Sequence, residues 1–231
     1  MLILALDTSG DVCSVALSED GVLKGEIAFR HERRLGERLP RALQFLLADA
    51  NRTLSAVDLL AVGRGPGSFT GVRVGVTLAK TLAQTLNKPL VGVSSLRAIV
   101  FPLLRAAGPD ALLVAVTPAR RGVVVAAAYG GGDRDAAEAA GPDVVAVEEW
   151  GKWAAGFAGA RRLIVCGEAS VAPLDEIIAQ AGGNGVTAAV DAAPSAATVA
   201  WLAHDRVVNR GDVPDNVLTL TPLYVAPTPV G

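Results

Sequence analysis

Residues 2–6, Leu-Ile-Leu-Ala-Leu, are continuously apolar, the pattern of a strand buried on both faces. A turn at Asp7-Thr8-Ser9-Gly10 leads to a second strand over 12–17, and Glu19-Asp20-Gly21 is a hairpin signal before a third over 22–29. The period then lengthens. Leu35, Leu39, Ala42, Leu43, Leu46, Leu47 and Ala50 recur at helical spacing, and Pro40 means that the first turn begins there or is kinked. A strand over 59–62, a glycine-rich turn, a helix over 72–86, the stop Asn87-Lys88-Pro89 and a strand over 90–93 complete a β-β-β-α-β-α-β order. A helix capped by Ser95 is predicted over 95–107.

The remainder repeats this plan without repeating the residues. Strands are predicted over 111–116, 123–129 and 144–147, then helix 148–157, strand 163–166, helix 174–181, strand 186–190 and helix 196–208. An opening group of strands followed by alternating α and β, twice over, fits two ribonuclease-H-like lobes. That is the α/β layout of the actin, Hsp70 and sugar-kinase ATPases. The expected division is 1–107 for the first lobe and 108–231 for the second, with the proline-containing tail from 209 onward laid across the surface.

The densest chemical signal is the stretch 63–75, GRGPGSFTGVRVG. Strand, glycine-rich turn and helix together aim backbone N–H groups at an anion. Gly63, Gly65 and Gly67 permit close backbone approach, Pro66 stiffens the turn, and Ser68 or Thr70 is placed to cap the helix. The Lys-Ser/Thr of a Walker loop and the third glycine of a dinucleotide fingerprint are both missing. Candidate nucleotide-binding residues are Asp7, Thr8, Ser9, Gly65, Gly67 and Ser68. For Asp7-Thr8-Ser9 an equally good reading is a turn whose side chains bond nearby backbone, and the residues alone leave both open.

Composition narrows the field. The chain has 231 residues, 51% hydrophobic and 19% charged, enough to bury a sizeable core and unlike a disordered chain. A net charge of −2 argues against tight nucleic-acid binding, and the run Arg30, Arg33, Arg34, Arg38, Arg41 is diluted by Glu32 and Glu37 into a solvated helix face. Cys13 and Cys166 lie in apolar runs, where thiols are buried and inert. No stretch has the length of a membrane helix, and the N-terminus has no basic region before its apolar run, so a cytoplasmic location is expected.

These features resemble the TsaB (YeaZ) family over nearly the whole chain. The resemblance is carried by LDTS at 6–9, His31, AVGRGPGSFTGVRVG at 61–75, LVGVSSL at 90–96, ARRG at 119–122, APSAATVAWLA at 193–203 and PLY at 222–224. The heptapeptide GPGSFTG is specific, because no generic phosphate loop requires its Pro or Phe. The family is a non-catalytic paralogue of TsaD, the subunit that transfers threonylcarbamoyl to the adenosine beside the anticodon in tRNAs reading ANN codons. The resemblance therefore implies a scaffold acting with a TsaD-like catalytic subunit and a TsaE-like ATPase, with tRNA engaged only through the complex and no activity alone.

Departures from the pattern matter as much. TsaD holds its metal with H-x-x-x-H; here His31 is followed by Leu35, His204 is distant, and no metal site is expected. Pro118 stands where many members carry the Asp of Asp-Ala-Arg, and Val225-Ala226 replaces a Leu-Arg after Tyr224. These losses argue against the alternatives, a weak ATP- or ADP-binding ATPase or kinase-like protein and a metallopeptidase. The expected interface for both a homodimer and the TsaD-like partner is the pair of first-lobe helices, through Leu43, Phe45, Leu46, Gly71, Gly75 and Leu78. Gly71 and Gly75, four apart, are expected to let another helix approach.

Overall fold

A computed structural model describes residues 1–132, 138–170, 172–180 and 186–225. Its first unit comprises Met1–Ala98 and Pro194–Leu223. The hairpin strands β1 (Leu2–Asp7), β2 (Val12–Glu19) and β3 (Val22–Arg30) are followed by α1 (Leu35–Asp49), β4 (Leu59–Gly63), α2 (Phe69–Leu86) and β5 (Leu90–Val93). The sheet order is β3-β2-β1-β4-β5, antiparallel on the hairpin side and parallel where β4 joins β1 and β5 joins β4. All six residues of β1 are buried, as its unbroken apolar run predicts. The two-residue period divides them: Leu2, Leu4 and Leu6 pack under α1 and α2, while Ile3 and Ala5 face the other way.

That other face is covered from far along the chain. Helix α7 (Ala196–His204) lays Ala196, Val199, Ala200 and Ala203, one helical stripe, on Ile3, Ala5, Ala16, Leu59, Ala61 and Val91. Its N-terminus is pinned to β2 and β3: the Ala196 N–H donates to Ser14 Oγ at 2.8 Å, and Ser195 Oγ donates to Glu26 Oε1 at 2.8 Å. The expected division at 107 is corrected accordingly. Residues 194–223 belong with the first unit, because its sheet has an apolar second face and α7 carries the matching stripe. The segment after α7 then lines edge strand β5, where the Asp215 N–H donates to the Leu90 carbonyl and Asp215 Oδ2 accepts from the Gly92 N–H. Leu220 is buried there, and Lys80 Nζ donates to the carbonyls of Leu218 and Leu220.

The second unit is built on Ile99–Ala193. Strands β6 (Ala111–Arg120), β7 (Val123–Gly130), β8 (Glu138–Ala146), β9 (Arg162–Gly167) and β10 (Val186–Asp191) are ordered β10-β9-β6-β7-β8. Read from the hairpin edge, this is the order of the first sheet, with the same antiparallel-then-parallel pattern. Helices α5 (Trp150–Ala158) and α6 (Leu174–Gln180) supply Trp150, Ala154 and Ile177 to its core. Both units are ribonuclease-H-like, the duplicated plan of the actin/Hsp70/sugar-kinase ATPase superfamily.

Several element boundaries differ from the sequence reading; α2 starts at Phe69, β6 runs to Arg120 and β8 spans Glu138–Ala146. The single helix expected over 95–107 is broken into α3 (Ser95–Val100), a 3-10 turn Phe101–Leu103 and α4 (Leu104–Ala107), because Pro102 has no N–H to continue the ladder. α1 starts at Leu35, so Pro40 lies inside it rather than at its start. α5 starts at Trp150 because Val147–Glu149 forms a 3-10 turn. Ala226 lies outside the described residues. Among the described residues, no helix is long and apolar enough to cross a membrane.

Candidate functional site

The glycine-rich stretch and the Asp7-Thr8-Ser9 turn, 54 or more residues apart in sequence, form one hydrogen-bonded unit. β1 and β4 run parallel with Leu6 beside Val62, so the two strands deliver their C-terminal turns side by side. Asp7, Thr8 and Ser9 are at most 2% exposed. Asp7 Oδ1 accepts from the Ser9 N–H at 2.8 Å and from Ser9 Oγ at 2.6 Å, and Oδ2 accepts from Ser95 Oγ at 2.7 Å. Ser95 Oγ in turn accepts from the Gly65 N–H at 3.1 Å, which ties the carboxylate to the glycine loop. Burial pushes the Asp7 carboxyl above its ordinary value of 3.8, opposed by the hydrogen bonds from Ser9 and Ser95.

The loop's donors also turn inward. The Ser68 N–H donates to the Ser9 carbonyl at 2.7 Å, and the Gly71 N–H donates to Ser68 Oγ at 3.2 Å. Ser68 is thus the cap of α2, the first of the two expected candidates. Contact with the β1 turn, more than torsional freedom, fixes the glycines. A Cβ on Gly67 would lie 2.4 Å from the Ser9 carbonyl oxygen, on Gly71 2.1 Å from that of Thr8, and on Gly75 2.2 Å from Thr8 Oγ1. Thr8 Oγ1 closes the contact by donating to the Gly71 carbonyl at 2.8 Å. Gly65, at φ +88°, and Gly67, at φ +157°, also take positive φ that favours glycine.

All six candidate nucleotide residues therefore come together, but Asp7, Thr8 and Ser9 are occupied by their own fold. The expected interface residues separate. The close approach at Gly71 and Gly75 is taken by Thr8 and Leu6 rather than left for another helix, which corrects the reasoning that made them interface residues. Leu43 and Leu46 are core, with Leu78 packed against them; Phe45, 66% exposed, remains on the surface. Sequence reasoning missed Ser95 as the bridge, since a serine opening a helix reads as a cap; Ser94 Oγ instead accepts from the Arg97 N–H. It also missed Arg73, whose guanidinium lies 4.3 Å from the ring centroid of Phe69, itself 59% exposed.

The remaining candidates fall elsewhere. His31 Nε2 lies 3.7 Å from Asp11 Oδ1, and His204 packs beside Gly21. Among the described residues, no three His, Cys, Asp or Glu converge as metal ligands. Pro118 lies beyond the pairing of β6 with β9, which runs from Ala111 to Ala115, and at a break in the register with β7, where a missing N–H is tolerated. Cys13 and Cys166 are fully buried, and burial pushes the Cys166 thiol up to about 12. Iodoacetamide at pH 8 is therefore expected to leave Cys166 unmodified in the native protein and to label it once denaturant is added, as mass spectrometry of the peptide would show. Labelling at equal rates in both states would contradict the burial.

Residues 25–172 match the family model described as TsaD, tRNA N6-adenosine threonylcarbamoyltransferase. The chain is 39% identical over 129 residues to the tRNA threonylcarbamoyladenosine biosynthesis protein TsaB of Escherichia coli (strain K12), covering 56% of this chain and 55% of that protein. The TsaB protein of Bacillus subtilis (strain 168) is 40% identical over 132 residues, with 56% and 55% covered. The matched stretch thus spans about half the length of these curated relatives. The structure of YeaZ from Pseudomonas aeruginosa superposes with a TM-score of 0.79 at 28% identity, over 97% of this chain and 99% of that one. The chain, with GPGSFTG folded onto its LDTS turn, belongs to the TsaB (YeaZ) family.

Proposed function

We propose that this chain is a non-catalytic subunit of a threonylcarbamoyl-transfer complex acting on ANN-decoding tRNA. In this role it stabilises the active state of a TsaD-like catalytic subunit, works with a TsaE-like ATPase, and meets tRNA through the assembly in the cytoplasm. The observation that carries the reading is the inward orientation of the signature. Asp7, Ser9, Ser95 and the N–H groups of Gly65, Ser68 and Gly71 bond within the motif, so these three N–H groups fix the start of α2 instead of being offered to a phosphate. What it presents is a surface. Phe69, Thr70 and Arg73 are exposed at that end of α2, where an aromatic ring and a guanidinium are the residue types enriched in protein–protein contacts. We place the partner face there, with self-association competing for the same surface.

Reconstitution tests the role. With the TsaD-like subunit, the TsaE-like ATPase and threonylcarbamoyl-adenylate supplied, tRNA modification is expected to require this chain, and equal activity without it would sink the proposal. Phe69→Ala is expected to weaken partner capture by roughly tenfold or more while leaving the melting temperature of the chain within a few degrees, since the ring is exposed. The purified chain alone is expected to hydrolyse no ATP. Turnover lost in a folded Asp7→Asn variant would instead favour the ATPase reading.

A further inference from the structure

Between Asp58 and Asp110 the chain has no Asp or Glu, although 23 occur elsewhere, and six of its 21 Lys and Arg fall in that interval. α2 lies wholly inside it. Arg73 and Lys80 stand seven apart on one stripe of the helix, with exposed Thr77 between them, and no carboxylate shares the helix. Arg64 joins this stripe from the end of β4. Its N–H donates to the Val93 carbonyl at 2.8 Å, and its carbonyl accepts from the Leu223 N–H at 2.7 Å. Its stem lies over Gly92 beside Leu220: a Cβ on Gly92 would sit 3.0 Å from Arg64 Cδ and 2.8 Å from Leu220 Cδ1. Lys80 Nζ donates to the Leu220 carbonyl at 2.9 Å, so the two cations flank one residue. Among the described residues Arg64, Arg73 and Lys80 make no ion pair, and Arg64 Nε is buried with no hydrogen-bond partner. Lys80 holds the carbonyls of Leu218 and Leu220, and Arg73 covers the Phe69 ring. Asp215, on the adjoining edge of β5, already accepts from the Gly92 N–H and from Arg206. A half-buried guanidinium without an acceptor costs stability that a Met in its place would not. Packing over Gly92 therefore accounts for the stem of Arg64 and not for its charge.

We infer that Arg64, Arg73 and Lys80 are the acid-reading part of the partner face: a surface of the TsaD-like subunit carrying Asp and Glu docks along this stripe, beside Phe69. The inference rests on the partner-subunit role and gives the partner's surface its chemistry. A guanidinium takes a carboxylate in a two-bonded fork, and the stem of Arg64 is already held, so docking orders little more. Phosphate is the other anion such cations take, but the loop N–H groups that would share it are bonded inside the motif. Charge also separates the two occupants of this surface. Self-association about a two-fold axis sets the stripe against its own copy, cation facing cation. An acidic partner is attracted instead. Low salt therefore favours the heterocomplex, and high salt relieves the repulsion between copies.

Capture of the TsaD-like subunit on the immobilised full chain, followed by biolayer interferometry at about 50 and about 300 mM salt, tests the proposal. Wild-type affinity is expected to fall roughly tenfold across that range, mostly through slower association. Arg64→Met and Arg73→Met keep an unbranched stem and remove the charge. Each should weaken capture roughly fivefold and flatten the salt dependence. Thr77→Lys should speed association at low salt and Thr77→Glu should slow it, opposite effects that a packing role would not produce. Should Arg64→Met melt low, Arg73→Met and the Thr77 variants, all at exposed positions, decide. Wild-type capture that is indifferent to salt and to these substitutions overturns the acidic contact and leaves the partner role standing. No capture by the wild type at either salt overturns both. Inorganic pyrophosphate bound by the wild type and lost in Arg64→Met, with capture unaltered, would assign the cations to phosphate and overturn the acidic contact as well.

Discussion

Gly71→Ala is expected to destabilise the first unit by roughly 3 kcal/mol or more, although it adds a single carbon to a helix. On propensity alone the change should stabilise α2 by about 1 kcal/mol. The environment reverses the sign. The new Cβ would sit 2.1 Å from the Thr8 carbonyl oxygen, a backbone atom on a turn held by Asp7 and by Thr8 Oγ1, so neither side can yield cheaply. Gly36→Ala is the matched comparison, because a Cβ there meets nothing within 4 Å and the residue lies in α1. Denaturant melts of the two variants should move in opposite directions. Equal small shifts would mean that α2 is not seated on the β1 turn as described.

Asp7→Ala should remove about 3 kcal/mol or more, by leaving the Ser9 N–H, Ser9 Oγ and Ser95 Oγ without the acceptor that joins them. Asp7→Asn separates shape from charge. Its carbonyl still accepts from Ser9, and its amide can donate to Ser95 Oγ, which then accepts from two N–H groups. The sign of the pH effect follows from the raised pKa. Between the ordinary carboxyl value of 3.8 and the higher folded value, the native state holds a proton that the unfolded chain has lost. This group therefore favours folding at the acid end of the window, and that contribution falls as pH rises through it. The wild type should lose stability with pH there relative to Asp7→Asn, in which the term is absent. Parallel stability–pH curves for the two proteins would refute the burial-driven shift.

Most of the architecture is legible in the sequence because it rests on periodicity. The unbroken run of β1, the helical recurrence from Leu35 to Ala50 and the strand–glycine–helix passage each leave a local pattern. What escapes is whatever depends on contacts between distant segments. Nothing around Ala196 says that its helix covers Ile3 and Leu59, and nothing near Ser95 says that its hydroxyl faces Asp7. The glycines show the same limit. Their spacing marks a close approach, but only the fold identifies the approaching atoms as those of Thr8 and Ser9. Pro102 is the opposite case, a local signal that by itself marks a break in the helix.

The late arrival of α7 has a consequence for synthesis on the ribosome. When residue 98 has emerged, every strand of the first sheet exists, but Ile3, Ala5, Leu59, Ala61 and Val91 still lack the helix that covers them. About 100 further residues must be translated before α7 is available, some 5–20 s at ordinary elongation rates. For that interval the nascent chain carries a bare apolar sheet face, the surface that trigger-type chaperones recognise and that nascent neighbours on a polysome can capture. Slowing translation between 98 and 194 should therefore lower the soluble yield of a chain whose finished fold is unchanged.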